Sequence, residues 1–536
     1  MCGIALALFH ESLPQSLTSL LWERLTASAS PRGPDAQDAL KLDAPTVPGT
    51  LQAFGATLWM RGALTKQPLR SEAGTEDFLL FNGEIFGGLA VEPGTNDGEV
   101  LLQRLQASRG DIKTVLRSIH GPFALAYFHD NTLFYARDRL GRRSLMHHQP
   151  TEDQAYFFLS SVWPADCPDC GKAVEVEPAT LHTVDLADWQ APVKKELIWE
   201  PFTSTNQHTS ASHQELLSRL RDTLTEATRK RVVDLRAHHS RLSASPQARV
   251  AILFSGGLDC ATLALLTSQV LPPHESIDLI NVAFENPRTA ANRSAEDIYE
   301  VPDRLTARAT YVELCRLQPQ RRWNFVLVNV AQEESIASQD HVLDLMAPQD
   351  TEMDLSLGIA LNKATRGQGV LADTQGLYTS TARILLSGLG ADELFGGYSR
   401  HRKAFGYAKE KGVDTQWKAL ADEMEMDLQR IGTRNLGRDD RCTAVHGKEL
   451  RYPFLDEQVI TFVASLPVQV KCDPRLPEGQ GDKRFLRQLA ATLGLQAPST
   501  FKKRALQFGS RSAKRASGLV SGTDVVPRLN KKGLDC

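Results

Sequence analysis

The stretch from 249 to 270 restricts the folds open to this chain more than any other. A compact apolar run at 249–254 stops at Ser255-Gly256-Gly257, and a helical pattern follows at 262–270. Strand, glycine turn and helix in that order open a doubly wound α/β domain, whose strand ends gather ligand groups along one side of a parallel sheet. Further strands are expected at 277–284, 325–330 and 383–386, the last again ending in a glycine turn. The chain before this point reads differently. Short strands at 2–9, 78–81, 123–129, 132–136 and 156–160 are separated by turn residues, with helical patterns at 17–29 and 97–108. A chain of 536 residues is too long for one core and calls for two or three domains. The expected division is an α+β domain at 2–198, a polar linker at 199–213 that begins Trp199-Glu200-Pro201-Phe202, the α/β domain at 214–520, opened by a helix over 214–238, and a loose Gly-, Lys- and Asp-rich tail at 521–536.

Charge narrows the partners. With 61 Lys and Arg against 64 Asp and Glu, the net charge is -3. That gives no strong attraction to nucleic acid or to acidic membranes. No apolar run approaches a membrane span, and the apolar stretch at 4–9 runs into His10 and Glu11 without a basic leader, unlike a secretory signal. Eight scattered Cys fit a reducing compartment, so a cytoplasmic location is expected. Cys167-Pro168-Asp169-Cys170 has no second pair and reads as a turn with two thiols rather than a zinc or redox site. The expected partners are therefore small molecules, with no nucleic acid and no membrane. A homo-oligomer is compatible with the composition.

Chemistry begins at Met1-Cys2-Gly3-Ile4. Removal of Met1 would leave Cys2 with both a thiol and a free amine, a base of pKa roughly 7.7–8.0. An amine on the same residue can take the nucleophile's proton. Arg32-Gly33-Pro34-Asp35, Asn82-Gly83-Glu84-Ile85 and Asp97 follow. Thiolate attack on a carboxamide creates an oxyanion, which an Asn side-chain amide and a glycine N–H can stabilise. Asp97 could hold an amino acid's ammonium, and Arg61 could grip its carboxylate. Taken singly, Asn82-Gly83 is also a common hairpin turn.

These motifs, with Ala136-Arg137-Asp138-Arg139-Leu140-Gly141, resemble the class II glutamine amidotransferase domain, an N-terminal nucleophile fold with two sheets between helix layers. The resemblance implies that Cys2 attacks the glutamine amide and releases ammonia through a thioester. It also implies that Asn82 and Gly83 form the oxyanion hole, and that Arg61, Asn82, Gly83, Glu84 and Asp97 contact glutamine.

In the second half, Ser255-Gly256-Gly257-Leu258-Asp259 can offer backbone N–H groups to phosphate at a helix start. Without Gly-Lys-Ser/Thr it is not the ordinary mononucleotide loop. Asp259 suits magnesium, and Ser387-Gly388-Leu389-Gly390-Ala391-Asp392 could bring a second carboxylate from a neighbouring strand end. With Gly396-Gly397-Tyr398, the run 446–456 and Gly481-Asp482-Lys483, these turns are similar to the ATP-pyrophosphatase domain of the asparagine synthetase family. That similarity implies ATP and Mg2+ as cofactors. ATP would touch Leu253, Ser255, Gly256, Gly257, Val282, Ser387 and Gly388. Asp259 and Asp392 would hold the metal, and Lys483 would neutralise pyrophosphate. The implied reaction adenylates aspartate, and ammonia from glutamine then gives asparagine, AMP and pyrophosphate.

One position departs from the pattern. Leu389 stands where those synthetases carry Glu, and leucine can neither steer nor deprotonate ammonia. Two alternatives follow: a different acyl acceptor, or a binding protein with a degenerate synthetase site. The runs 301–308 and 504–511 are distinctive and mark a divergent subgroup of the family.

Overall fold

The computed structural model describes residues 2–43, 49–71, 75–204, 210–233, 248–286, 297–514 and 523–528. The first half holds two six-stranded sheets. In the first sheet the spatial order is Val174–Glu175, Met146–His148, Tyr156–Ser160, Gly3–His10, Gly49–Thr57 and Ala36–Asp43, every neighbour antiparallel. In the second it is Lys194–Leu197, Thr180–Asp185, Thr132–Arg137, Phe123–His129, Phe78–Gly83 and Leu69–Arg70, again antiparallel.

Period-two alternation explains the layers. Ile4, Leu6 and Leu8 point inward onto Phe78, Leu80, Ala124 and Ala126 of the facing sheet. The residues between them, Ala5, Ala7 and Phe9, meet Leu21 and Leu25 of the helix Gln15–Ala29. On the far side, Leu79, Phe81 and Leu125 meet Leu101, Leu105 and Leu116 from the helices Asp97–Ala107 and Ile112–Ser118. The result is helix, sheet, sheet, helix, the expected nucleophile-type sandwich.

The second half is built on a seven-stranded sheet, ordered Leu377–Thr379, Gln368–Leu371, Trp323–Val330, Ile277–Phe284, Val250–Leu253, Ile384–Leu386 and Glu449–Arg451. The last five run parallel, and the first two add an antiparallel edge. Chain order reverses direction between Val250–Leu253 and Ile384–Leu386. That is the switch point where an open α/β sheet leaves a crevice at its carboxyl ends. The helix entering this half spans His213–Val232 and starts with a Ser212–Glu215 capping box; the expectation for 234–238 lies outside the described residues. Of the 521–536 tail, expected to be loose, residues 523–528 are docked. Glu352 N–H donates to the Asp524 carbonyl at 2.9 Å, and Val526 N–H to the Asp350 carbonyl at 2.9 Å. The main core continues across the two halves, taking in Leu58, Met60, Leu140 and Val162 from the first.

Candidate functional site

Cys2 precedes the strand Gly3–His10 and is partly exposed. Its backbone N–H donates to Asn82 Oδ1 at 3.0 Å, and Gln67 Nε2 approaches its Sγ at 3.3 Å. Because Asn82 Oδ1 is engaged by Cys2, Nδ2 is the amide end left over. It is buried and has no partner among the described residues. An orphaned buried donor beside a nucleophile has the chemistry of an oxyanion site. Burial pushes the Cys2 thiol up, and the positive charge of the amino terminus pulls it back. Gly83 closes its strand opposite Phe123, where a Cβ would fall 2.6 Å from the Pro122 carbonyl oxygen. Only glycine fits there.

Arg61 and Asp97 converge on the backbone of one residue, Ile85. Arg61 Nη1 donates to the Ile85 carbonyl at 3.0 Å, and Ile85 N–H donates to Asp97 Oδ2 at 2.9 Å. Asp97 opens its helix behind an Asn96 cap that accepts from Gly98 and Glu99 N–H. Glu84 turns instead toward the second half, 3.1 Å from Arg451. Burial, opposed by Arg451, pushes Glu84 up to about 7.

At the switch point lies a cavity of about 730 Å³. Leu253, Ser255, Gly257, Asp259, Val282, Ser387, Gly388, Asp392 and Lys483 all line it. Gly256 does not. Its φ is +75°, and a Cβ would lie 2.4 Å from the Ala307 backbone, so it presses the turn onto the helix Pro302–Leu317. A Cβ on Gly388 would come 2.7 Å from Asp259 Cβ, so the two turns touch. Lys483 Nζ sits between the carboxylates, 2.6 Å from Asp259 Oδ2 and 2.9 Å from Asp392 Oδ1. Against the penalty of burial, Lys483 and Lys503 hold Asp392 below the usual carboxylate range. Asp259 Oδ1 is buried and has no hydrogen-bond partner among the described residues. An orphaned carboxylate oxygen beside a phosphate-type turn fits magnesium, which takes one or two carboxylates and completes its shell with phosphate and water. No group of three or more His, Cys, Asp or Glu among the described residues could hold a metal by itself.

The residues missed by sequence reasoning form the seam between the halves. Arg32 Nη2 lies 2.7 Å from Asp440 Oδ2, both fully buried, while Arg32 Nε donates to the Cys2 carbonyl at 3.3 Å. Arg143 pairs with Glu449 at 2.8 Å, and Glu449 with Arg451 at 2.6 Å. Arg441 reaches Glu175 at 2.9 Å, and Arg383 reaches Asp35 Oδ1 at 2.8 Å. Thus Arg32 and Asp35, expected to serve the nucleophile's neighbourhood, chiefly tie the halves together. Arg451 touches both ends: its side chain meets Glu84, and its carbonyl accepts from Ser387 N–H at 3.0 Å. Buried ion pairs add little net stability, but their geometry is demanding and fixes how the halves meet.

Residues 1–199 match the family described as glutamine amidotransferase domain, and residues 375–508 match the family described as asparagine synthase. The chain is 32% identical to asparagine synthetase domain-containing protein 1 of Gallus gallus, covering 99% of this chain and 100% of that protein. It is 31% identical to the Homo sapiens protein of the same name, covering 100% and 98%. It is 25% identical to the glutamine-hydrolyzing asparagine synthetase of Gallus gallus, covering 79% and 70%. The chain therefore belongs to the family of asparagine synthetase domain-containing protein 1, within the asparagine synthase-like glutamine amidotransferases.

Proposed function

We propose that this protein is a glutamine-dependent amidotransferase that consumes ATP to activate a carboxylate, with its glutaminase part at 2–198 and its synthetase part at 214–520. The observation that carries the reading is Asn82, which holds Cys2 N–H through Oδ1 and keeps Nδ2 unpartnered beside it. After removal of Met1, the Cys2 amine takes the thiol proton and the thiolate attacks the glutamine carboxamide. Asn82 Nδ2 and Gly83 N–H receive the oxyanion, ammonia departs, and water releases glutamate from the thioester. Arg61 would hold the glutamine carboxylate and Asp97 its ammonium, with Glu84 on the pocket's wall.

In the second half, Leu253 and Val282 would flank the nucleoside, while Ser255, Gly257, Ser387 and Gly388 would hold phosphates. Gly256 shapes the turn. Asp259 and Asp392 would hold magnesium, which when bound offsets phosphate charge. Lys483, now shared between those carboxylates, would turn to the departing pyrophosphate. Attack by ammonia on the acyl adenylate then yields an amide and AMP. Aspartate, with asparagine as product, is the acceptor suggested by the names of the relatives. Leu389 in the cavity wall favours another acceptor. The cytoplasm is the proposed location.

The test is amide formation by the purified protein. Cys2→Ala should lose activity with glutamine and keep it with ammonium. Failure of wild-type protein to use either nitrogen source would leave a binding protein with a degenerate site.

A further inference from the structure

We propose that Lys503 is a second cation for the departing pyrophosphate, acting beside Lys483. This rests on the reading that the second half cleaves ATP between the α- and β-phosphates.

Lys483 alone is poorly placed to meet that charge. Its Nζ lies 2.6 Å from Asp259 Oδ2 and 2.9 Å from Asp392 Oδ1, so two carboxylates and one ammonium leave the cluster anionic on balance. Even with magnesium on those carboxylates, a pyrophosphate leaving as a free anion carries more negative charge than one ammonium offsets.

Most other cations around the cavity are committed. Arg400 and Arg430 pair with Asp427, Arg438 with Asp439, and Arg487 with Asp482. Arg402 donates to the Pro474 and Leu476 carbonyls. Arg434, Lys502 and Arg504 are exposed. Lys503 differs from all of these. It lines the cavity, its side chain is 23% exposed, and its Nζ stands 3.9 Å from Asp392 Oδ1. That separation is too long for a hydrogen bond, and among the described residues no hydrogen bond holds this ammonium. Nζ also rests 4.5 Å from the centre of the Tyr398 ring. The ring's quadrupole is a weak hold at a partly exposed site. Lys503 can therefore turn to a phosphate oxygen without breaking a hydrogen bond.

One guanidinium fixes the backbone of both lysine segments. Arg487 Nε donates to the Asp482 carbonyl at 2.6 Å, directly before Lys483. Its Nη1 donates to the Phe501 carbonyl at 2.9 Å, two residues before Lys503. Lys483 N–H donates to the Phe395 carbonyl at 3.1 Å, at the end of the helix that carries Asp392. The two ammonium groups thus approach Asp392 from anchored segments, and the Lys503 head is the one loosely held.

In the adenylation step, an oxygen of the acid forms a bond to the α-phosphorus of ATP. The bond from that phosphorus to the α,β-bridging oxygen breaks, and pyrophosphate leaves with the electron pair. The added charge falls on the leaving group, where an ammonium donates charge-assisted hydrogen bonds. No proton moves to or from Lys503.

The experiment is calorimetric titration of the full chain with magnesium pyrophosphate and, separately, with AMP. Lys503→Met should bind magnesium pyrophosphate about tenfold more weakly, the loss of one hydrogen bond to a charged group, while binding AMP as wild type does. Lys503→Arg should recover most of the affinity, because the charge remains. Magnesium pyrophosphate bound by Lys503→Met as tightly as by wild type would overturn the inference. Equal weakening of AMP and pyrophosphate would also overturn it, since Lys503 would then only shape the cavity. A loss as large in Lys503→Arg would overturn the role assigned to charge. Wild-type protein that fails to bind magnesium pyrophosphate would overturn the ATP-cleavage reading, and the inference with it.

Discussion

Asn82→Ala isolates the group on which the glutaminase reading turns. In the structure Asn82 Oδ1 accepts from Cys2 N–H at 3.0 Å, while Nδ2 is buried without a partner among the described residues. Truncation therefore removes one ground-state hydrogen bond, worth about 1 kcal/mol, and one donor that finds its partner only when the oxyanion forms. A preorganised donor of that kind is worth about 2.7–4 kcal/mol, or roughly 10²–10³ in kcat. An interaction made only in the transition state lowers kcat and kcat/KM together. The expected outcome is thus a kcat for glutamine hydrolysis lower by roughly 10²–10³, with KM changed by about threefold at most. Asn82→Asp should keep the acceptor for Cys2 N–H yet lose at least as much in kcat, because a carboxylate in place of Nδ2 repels the oxyanion. The assay is glutamate release from glutamine at saturating substrate, with far-ultraviolet circular dichroism confirming the fold. A kcat within about threefold of wild type for Asn82→Ala, or a loss confined to KM, would refute the placement of Nδ2 at the oxyanion.

Three other outcomes follow from the same structure. Lys483→Met leaves Asp259 and Asp392 facing each other without their shared cation, and ATP–pyrophosphate exchange should fall about 100-fold or more. Arg32→Met removes the nearest cation from the buried Asp440 carboxylate, leaving it the Ser144 N–H and Arg143 at 3.7 Å, and should cost about 3 kcal/mol in urea unfolding, part of it regained in Arg32→Met with Asp440→Leu. Acid should destabilise the first half through His147 and His182, both pushed down to about 4, burial being the main cause. Their folded values lie below the unfolded 6.5, so the folded state binds fewer protons between those limits. Stability is then full above pH 6.5 and falls as pH drops toward 4, by at most about 3 kcal/mol per residue. His182→Phe, stacking on Tyr135 as His182 does at 4.8 Å, should flatten that slope in urea midpoints measured from pH 7 to 4.5.

The sequence made the strand–turn–helix at 249–270 readable because an apolar run, glycines and a helical period all agree there. The result is the strand Val250–Leu253 and the helix Leu258–Val270. Cys2, Asn82 and Gly83 were readable because chemistry restricts which residue types can stand together. Ala36–Asp43 and Gly49–Thr57 were not, since Ala, Gly, Gln and Asp within them have weak strand preference, and pairing with Gly3–His10 and with each other holds them. The seam was also hidden. Arg32 and Asp440 are far apart in the chain, and neither sequence context shows that the two pair once the halves close. Arg451 gave no signal of its role, because Glu84 and Ser387, which it joins, sit in separate motifs.

The most direct test of the two-site account is a product balance by 31P and 15N NMR. The mature protein would be given amide-15N glutamine, Mg-ATP and a carboxylate that supports exchange. The account predicts glutamate, AMP, pyrophosphate and a 15N-labelled amide in equal amounts, with labelled ammonium replacing glutamine in Cys2→Ala. Cleavage of ATP to ADP and phosphate, or amide formed from glutamine by Cys2→Ala as fast as by wild type, would contradict it.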